Sequence, residues 1–158
     1  AALPPGFGWT ESPGLTALQP LLLAHAQAVI RYMLGEQGPR VDPCVRGAFT
    51  ADGRTTPTAT RLEGLAAIAP WLPRNTERER AKHEAVRQSL SAGVAFLRAA
   101  QLTSGPTSGG FSRVSPLCPS GRERADPRAF EVRVDYTQHA LSALLGYRSL
   151  LKADAVKP

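Results

Sequence analysis

The sequence predicts an all-α fold: two stacked helical hairpins joined by long Gly/Pro-rich loops, forming either a small helical bundle or part of a larger helical ring. Three observations lead there. Apolar residues recur at three- and four-residue steps in four separate stretches, the period of an amphipathic helix. Capping residues precede three of these stretches, and prolines or glycines follow the first three. One pattern also occurs twice: a helix ending in glutamine, a glycine-bearing loop with a phenylalanine, then another helix. It is carried by Gln37 with Gly47-Ala48-Phe49 and by Gln101 with Gly109-Gly110-Phe111, and aligning the glutamines also pairs Tyr32 with Phe96 and Met33 with Leu97.

With 158 residues the chain suits one domain, which at this size buries roughly 70% of the surface its unfolded form exposes. Residues 1–14 hold Pro4-Pro5, Gly6, Gly8 and Pro13-Gly14 around Phe7 and Trp9, so they read as an extended arm. The helical domain then covers 15–154, its repeats at about 15–73 and 74–151, and residues 155–158 form a frayed tail.

The first helix spans 15–37, with Leu18, Leu22, Ala26, Val29, Ile30, Met33 and Leu34 on one side. Pro20 is expected in its first turn, and Gly38-Pro39 ends it. After the loop carrying Cys44 and Phe49, Thr56 is the expected N-cap of a second helix with Pro57 at its first position. Pro70 and Pro73 stop that helix. Thr76 and Glu79 form a capping box opening a third helix over 77–101, charged at first and apolar later. Thr103 to Gly110 is a turn rich in Gly and Ser, Ser112 to Arg128 is the longest loop, Val132 and Val134 are briefly extended, and Asp135 with Gln138 should cap the fourth helix.

A formal charge of +6 invites a nucleic-acid reading, but its densest arginine run, Arg74 to Arg87, interleaves with Glu77, Glu79 and Glu84 as a solvated helix face does. No basic block alternates with stacking aromatics, which argues against nucleic acid and leaves a weaker attraction to anionic surfaces. The apolar run Leu21 to Ile30 contains His25 and Gln27 and is too short to span a bilayer. Cys44 and Cys118 fall in corresponding loops, where a disulfide would close about 75 residues and contribute roughly 4 kcal/mol. That pairing implies a secreted or periplasmic protein, and the start at Ala1 fits either a signal-cleaved product or a trimmed chain. The alternative is two separate thiols in a cytosolic protein.

The stretch Leu97 to Gln101 with Gly109-Gly110-Phe111, followed by Arg133-Val134-Asp135-Tyr136-Thr137-Gln138-His139, resembles one repeat of the α,α-toroid proteins. These include the terpenoid-cyclase and prenyltransferase folds and the six-hairpin glycosidase-like enzymes. The resemblance covers about 110 residues, and the chain departs from it in carrying two hairpins where a complete toroid has about six. It implies a ligand where the inner helices meet the glycine-rich loops. Carried over, that nominates Glu63, Asp135 and His139 as catalytic, and Arg61, Arg133, Tyr136 and Gln138 as binding residues.

Each also has a plain structural role: Asp135 and Gln138 as caps, Arg133 as a partner for Glu131. Glu63 and Asp135 are the only acids placed to meet across the repeats, as glycoside chemistry needs at roughly 5 to 10 Å. Zinc is supported only by the distant set Asp42, Cys44 and His139, and no nucleophile elbow or phosphate loop is present, so no metal or cofactor is expected. The expected function is a secreted binding or structural subunit that self-associates or joins other protein subunits, with room for a polyanionic or carbohydrate ligand. The alternative is a toroid hydrolase or lyase acting on a carbohydrate-like polymer.

Overall fold

Residues 13–38, 42–117 and 127–155 are described by a computed structural model, and over them the chain is an all-α small bundle. Its helices are α1 (Pro13–Gln37), α2 (Thr55–Ile68), α3 (Glu77–Ala100) and α4 (Val134–Ala155), with 3-10 turns at Pro43–Val45 and Ala69–Trp71. Among the described residues β-pairing is limited to isolated bridges, and no helix is long and apolar enough to cross a membrane.

The helix boundaries follow local chemistry at one end and tertiary contacts at the other. The capping box at Thr76 is present: its hydroxyl accepts from the Glu79 N–H at 3.2 Å, and the Glu79 carboxylate accepts from the Thr76 N–H at 2.9 Å. That backbone contact holds the Glu79 carboxyl below its ordinary pKa. At α2 the expected Thr56 cap is replaced. The helix opens two residues earlier, with Arg54 as N-cap and no side-chain cap, because the Thr55 N–H donates to the Arg113 carbonyl at 3.0 Å. A neighbouring segment supplies the acceptor that a capping side chain supplies elsewhere.

Two other boundaries differ from expectation. Since α1 starts at Pro13, Pro20 lies inside the helix rather than in its first turn. Since α4 starts at Val134, Asp135 falls in the first turn, where its carboxylate accepts from Arg133 Nε at 3.0 Å. Val132 is extended, bridging to Ser112, whereas Val134 is already helical.

Segment 111–115 stitches the two loop regions together. On one side Arg54 bridges Val114 and the Ser115 N–H donates to the Gly53 carbonyl; on the other the Arg113 and Val114 N–H groups donate to Glu131 and Ala129. Phe49 and Phe111, the aromatics that follow the two loop glycines, are both buried. The Phe49 N–H donates to the Thr58 hydroxyl at 3.1 Å, which places that loop on the first turn of α2. Cys44 is half-buried here, and its expected disulfide partner Cys118 lies outside the described residues, as do the N-terminal arm up to residue 12 and the tail from residue 156.

The core forms where α2 meets α3 and α4, through Leu62, Leu65, Val86, Leu90, Leu97 and Ala140. Small residues set the spacing. A Cβ on Gly93 would lie 2.5 Å from the Leu62 side chain, and one on Gly146 would lie 3.1 Å from the Ala66 Cβ. The α2–α4 and α2–α3 interfaces are extensive, while α1 joins α3 and α2 more thinly, through Ile30, Met33, Leu34 and Gln37.

Gln37 secures that thin interface. Its buried amide donates to the Gly47 carbonyl at 2.9 Å and to the Ser89 carbonyl of α3 at 3.0 Å. Gly47 has φ +86°, and a Cβ there would collide with the Ala92 carbonyl, so only glycine lets the loop lie on the backbone of α3.

Replacing Gln37 by alanine strips a donor from two buried carbonyls and should cost about 2–4 kcal/mol. The exposed Gln101, which makes one similar bond to Gly109, should lose less than about 1 kcal/mol on the same replacement. Urea unfolding midpoints of Gln37→Ala and Gln101→Ala check this, and equal losses would remove the special role given to Gln37.

Candidate functional site

Packing of α2 against α4 brings two of the nominated residues together. His139 Nδ1 lies 2.9 Å from Glu63 Oε2, with both side chains partly open to solvent. Glu63 stands at one end of a shallow groove between these helices, floored by small residues including Ala66, Ala67, Ser142, Gly146 and Ser149. The carboxylate can orient the imidazole, leaving the opposite ring nitrogen for a hydrogen bond or proton transfer.

The remaining nominated residues form two separate groups. Arg133 pairs with Asp135 at 3.0 Å and lies over the Tyr136 ring, 5.5 Å from its centroid. Asp135, and after it Tyr136, strengthen the hold of Arg133 on its proton. Tyr136 is buried and Gln138 exposed. Arg61 faces the other way: its guanidinium binds Glu36 of α1 at 2.6 Å and donates to the Pro57 carbonyl at 3.1 Å, fastening α1 to α2.

One expectation is therefore corrected: Arg133 pairs with Asp135 rather than with Glu131, while Glu63 is bonded to His139. The zinc set Asp42, Cys44 and His139 also does not form, since among the described residues no three of His, Cys, Asp and Glu converge.

A crevice that was not expected lies where the turn after α2 and the C-terminal part of α4 meet the first half of α3. Arg74, His83, Arg87, Tyr147 and Asp154 line it over an apolar wall that includes Leu90 and Leu150. Arg87 and Asp154 form an ion pair. Burial lowers the His83 pKa, and the charges of Arg74 and Arg87 lower it further against the weaker opposing pull of Asp154 and Glu84. The signal for it was present in the sequence: His83 falls in register with Val86, Leu90 and Leu97 on the apolar side of α3, where a solvated histidine would not sit.

Fold and site together define a small all-α bundle with polar pairs on its helix faces, and among the described residues no three His, Cys, Asp or Glu side chains converge to hold a metal. Comparison with protein-family models, with curated proteins and with solved structures finds no match to this chain.

A histidine that resists protonation when folded gives a definite pH dependence. Its contribution is complete above the unfolded value near 6.5 and declines as pH falls through that value toward the lower folded one, because the unfolded chain takes up the proton first. An NMR titration should place the His83 midpoint below 6.5, and His83→Gln should flatten the loss of stability between neutral and mildly acid pH. A midpoint at or above 6.5 would show that the crevice does not shield the ring.

Proposed function

We propose that this chain is a secreted or periplasmic helical-repeat subunit that works by binding, associating with itself or within a larger assembly. The observation that carries this reading is the distribution of leucines. The bundle buries Leu62, Leu65, Leu90 and Leu97 completely, yet leaves Leu21 and Leu22 on α1 66% and 59% exposed, and Leu141 and Leu145 on α4 53% and 48% exposed. Full burial of a leucine stabilises by about 1.5–3 kcal/mol, so covering these four would release several kcal/mol toward association. Helical repeats bury their faces against neighbours, and an end that lacks a polar cap seeks one.

The net positive charge favours an acidic or polyanionic surface on any partner of different sequence. A disulfide between Cys44 and Cys118 belongs to the same reading. Support for the loops being neighbours comes from the hydrogen bond between Ser115 and Gly53.

Light scattering across a dilution series tests association. The expected result is a mass above the 16.9 kDa of one chain that falls on dilution, and falls to one chain when Leu22→Glu and Leu145→Glu are combined. A single-chain mass at every concentration, with no binding of an apolar dye, would refute the proposal.

One observation favours a second reading, a hydrolase or lyase acting on a carbohydrate-like polymer. The Glu63–His139 pair beside a groove can hold and move a proton. Any polysaccharide turnover by the purified protein should drop at least about 100-fold in Glu63→Gln and His139→Ala, the scale of a lost general acid or base. Turnover that survives both changes would eliminate this reading.

A further inference from the structure

Two loop junctions in this chain share one geometry and differ in what covers them. At the first, Gln37 ends α1 and donates to the Gly47 carbonyl at 2.9 Å, Gly47 has φ +86°, and buried Phe49 follows. At the second, Gln101 closes α3 and donates to the Gly109 carbonyl at 2.9 Å, Gly109 has φ +87°, and buried Phe111 follows. The first junction rests on a helix, with Gln37 reaching Ser89 and Gly47 lying against Ala92. At the second, Gln101 and Gly109 are exposed, and a Cβ on Gly109 would meet no described atom within 4 Å.

What covers the first junction indicates what fits the second: a helix offering a main-chain carbonyl and a close-approach backbone. A helical carbonyl keeps a second lone pair for such a bond. Within this chain the counterpart of α3 is α1, since both run into the glutamine of a junction. Ser89 and Ala92 precede Gln101 by the same intervals as His25 and Ala28 precede Gln37. His25 and Ala28 are exposed, on the part of α1 that also exposes Leu21 and Leu22.

The flank beside the second junction is shaped to receive a helix. Ser91, Ala95 and Ala99 leave an exposed face of small side chains on α3, against which leucines can pack. On α4 the correspondence continues. Leu62 and Leu141 are each the eighth residue of their helix, and Ala66 and Leu145 each the twelfth. The α2 pair is buried, with Leu62 against Gly93 and Ala66 against Gly146, while the α4 pair is open.

We propose that the Gln101–Gly109 junction and the Ser91–Ala95–Ala99 face of α3 are the docking site for α1 of a second copy, joined head to tail. This rests on the self-association reading and specifies its geometry. Donor and acceptor are different surfaces, so each docked pair keeps one donor and one acceptor free, and assembly runs on to a ring or a filament.

Mixing two variants tests it. Leu22→Glu with Ala28→Arg disables the α1 donor, and Ala95→Arg with Gln101→Ala disables the acceptor. All four positions are exposed, so circular dichroism should report unchanged helicity. Each variant alone should be a single chain, and an equimolar mixture should give a species of twice that mass, because one variant keeps its acceptor and the other its donor. If either double variant lost helicity, Ala28→Arg and Ala95→Arg alone would carry the same test. A wild-type protein that never assembles overturns the self-association reading and this docking with it. A wild type that assembles, combined with a mixture that stays single-chain or with variants that still assemble alone, overturns only this docking.

Discussion

The buried amide of Gln37 is the constraint on which the arrangement of this bundle depends. Its two donors engage the Gly47 carbonyl and the Ser89 carbonyl, so one side chain joins the end of α1, the loop that leads to α2, and the flank of α3. Without these bonds the Gly47 carbonyl is buried with its donor removed and the Ser89 carbonyl keeps only its helical bond, a loss larger than the modest net gain of one average hydrogen bond. The bond to Ser89 forms only if the loop lies directly on α3, which requires the absence of a side chain at Gly47. With the loop held there, Phe49 is buried and Thr58 takes the Phe49 N–H, which fixes where α2 starts. The position of α2 in turn decides what Leu62, Ala66 and Glu63 meet on α3 and α4.

The helices and the buried aromatics were legible because their causes are local. Periodicity located all four helices, and the Thr76–Glu79 box marked the start of α3 because both partners lie within four residues. Phe49 and Phe111 were singled out from their place after glycine, and both are in the core. What was not legible depends on distant contacts. Thr56 lost its expected capping role because segment 111–115 supplies the acceptor for Thr55, a contact across 58 residues that no local pattern encodes.

The site was legible in the same partial way. The nominated residues do lie on α2, on α4 and just before α4, but side-chain pairing sorts them differently from their residue types. Glu63 meets His139, while Arg133 and Asp135 satisfy each other at the start of α4. Arg61 was nominated for a ligand and is committed to Glu36, because α1 crosses close enough to offer a carboxylate. The crevice around His83 draws on α3, α4, the turn after α2 and the segment before α3, so only the misplaced polarity of one residue in an apolar stripe pointed to it.

If Gln37 and Gly47 unite the hairpins, the junction and the flank of α3 should open as one unit. Native-state hydrogen exchange measures this directly, amide by amide. Protection at Ile30 to Gln37, at Ala48 and Phe49, and at Ser89 to Gly93 should share the opening free energy of global unfolding, while Leu21 to Ala24 exchange far sooner. Exchange of Gly47 to Phe49 at a much lower free energy than Ser89 to Gly93 would contradict the account, because the loop would then leave α3 without disturbing the core.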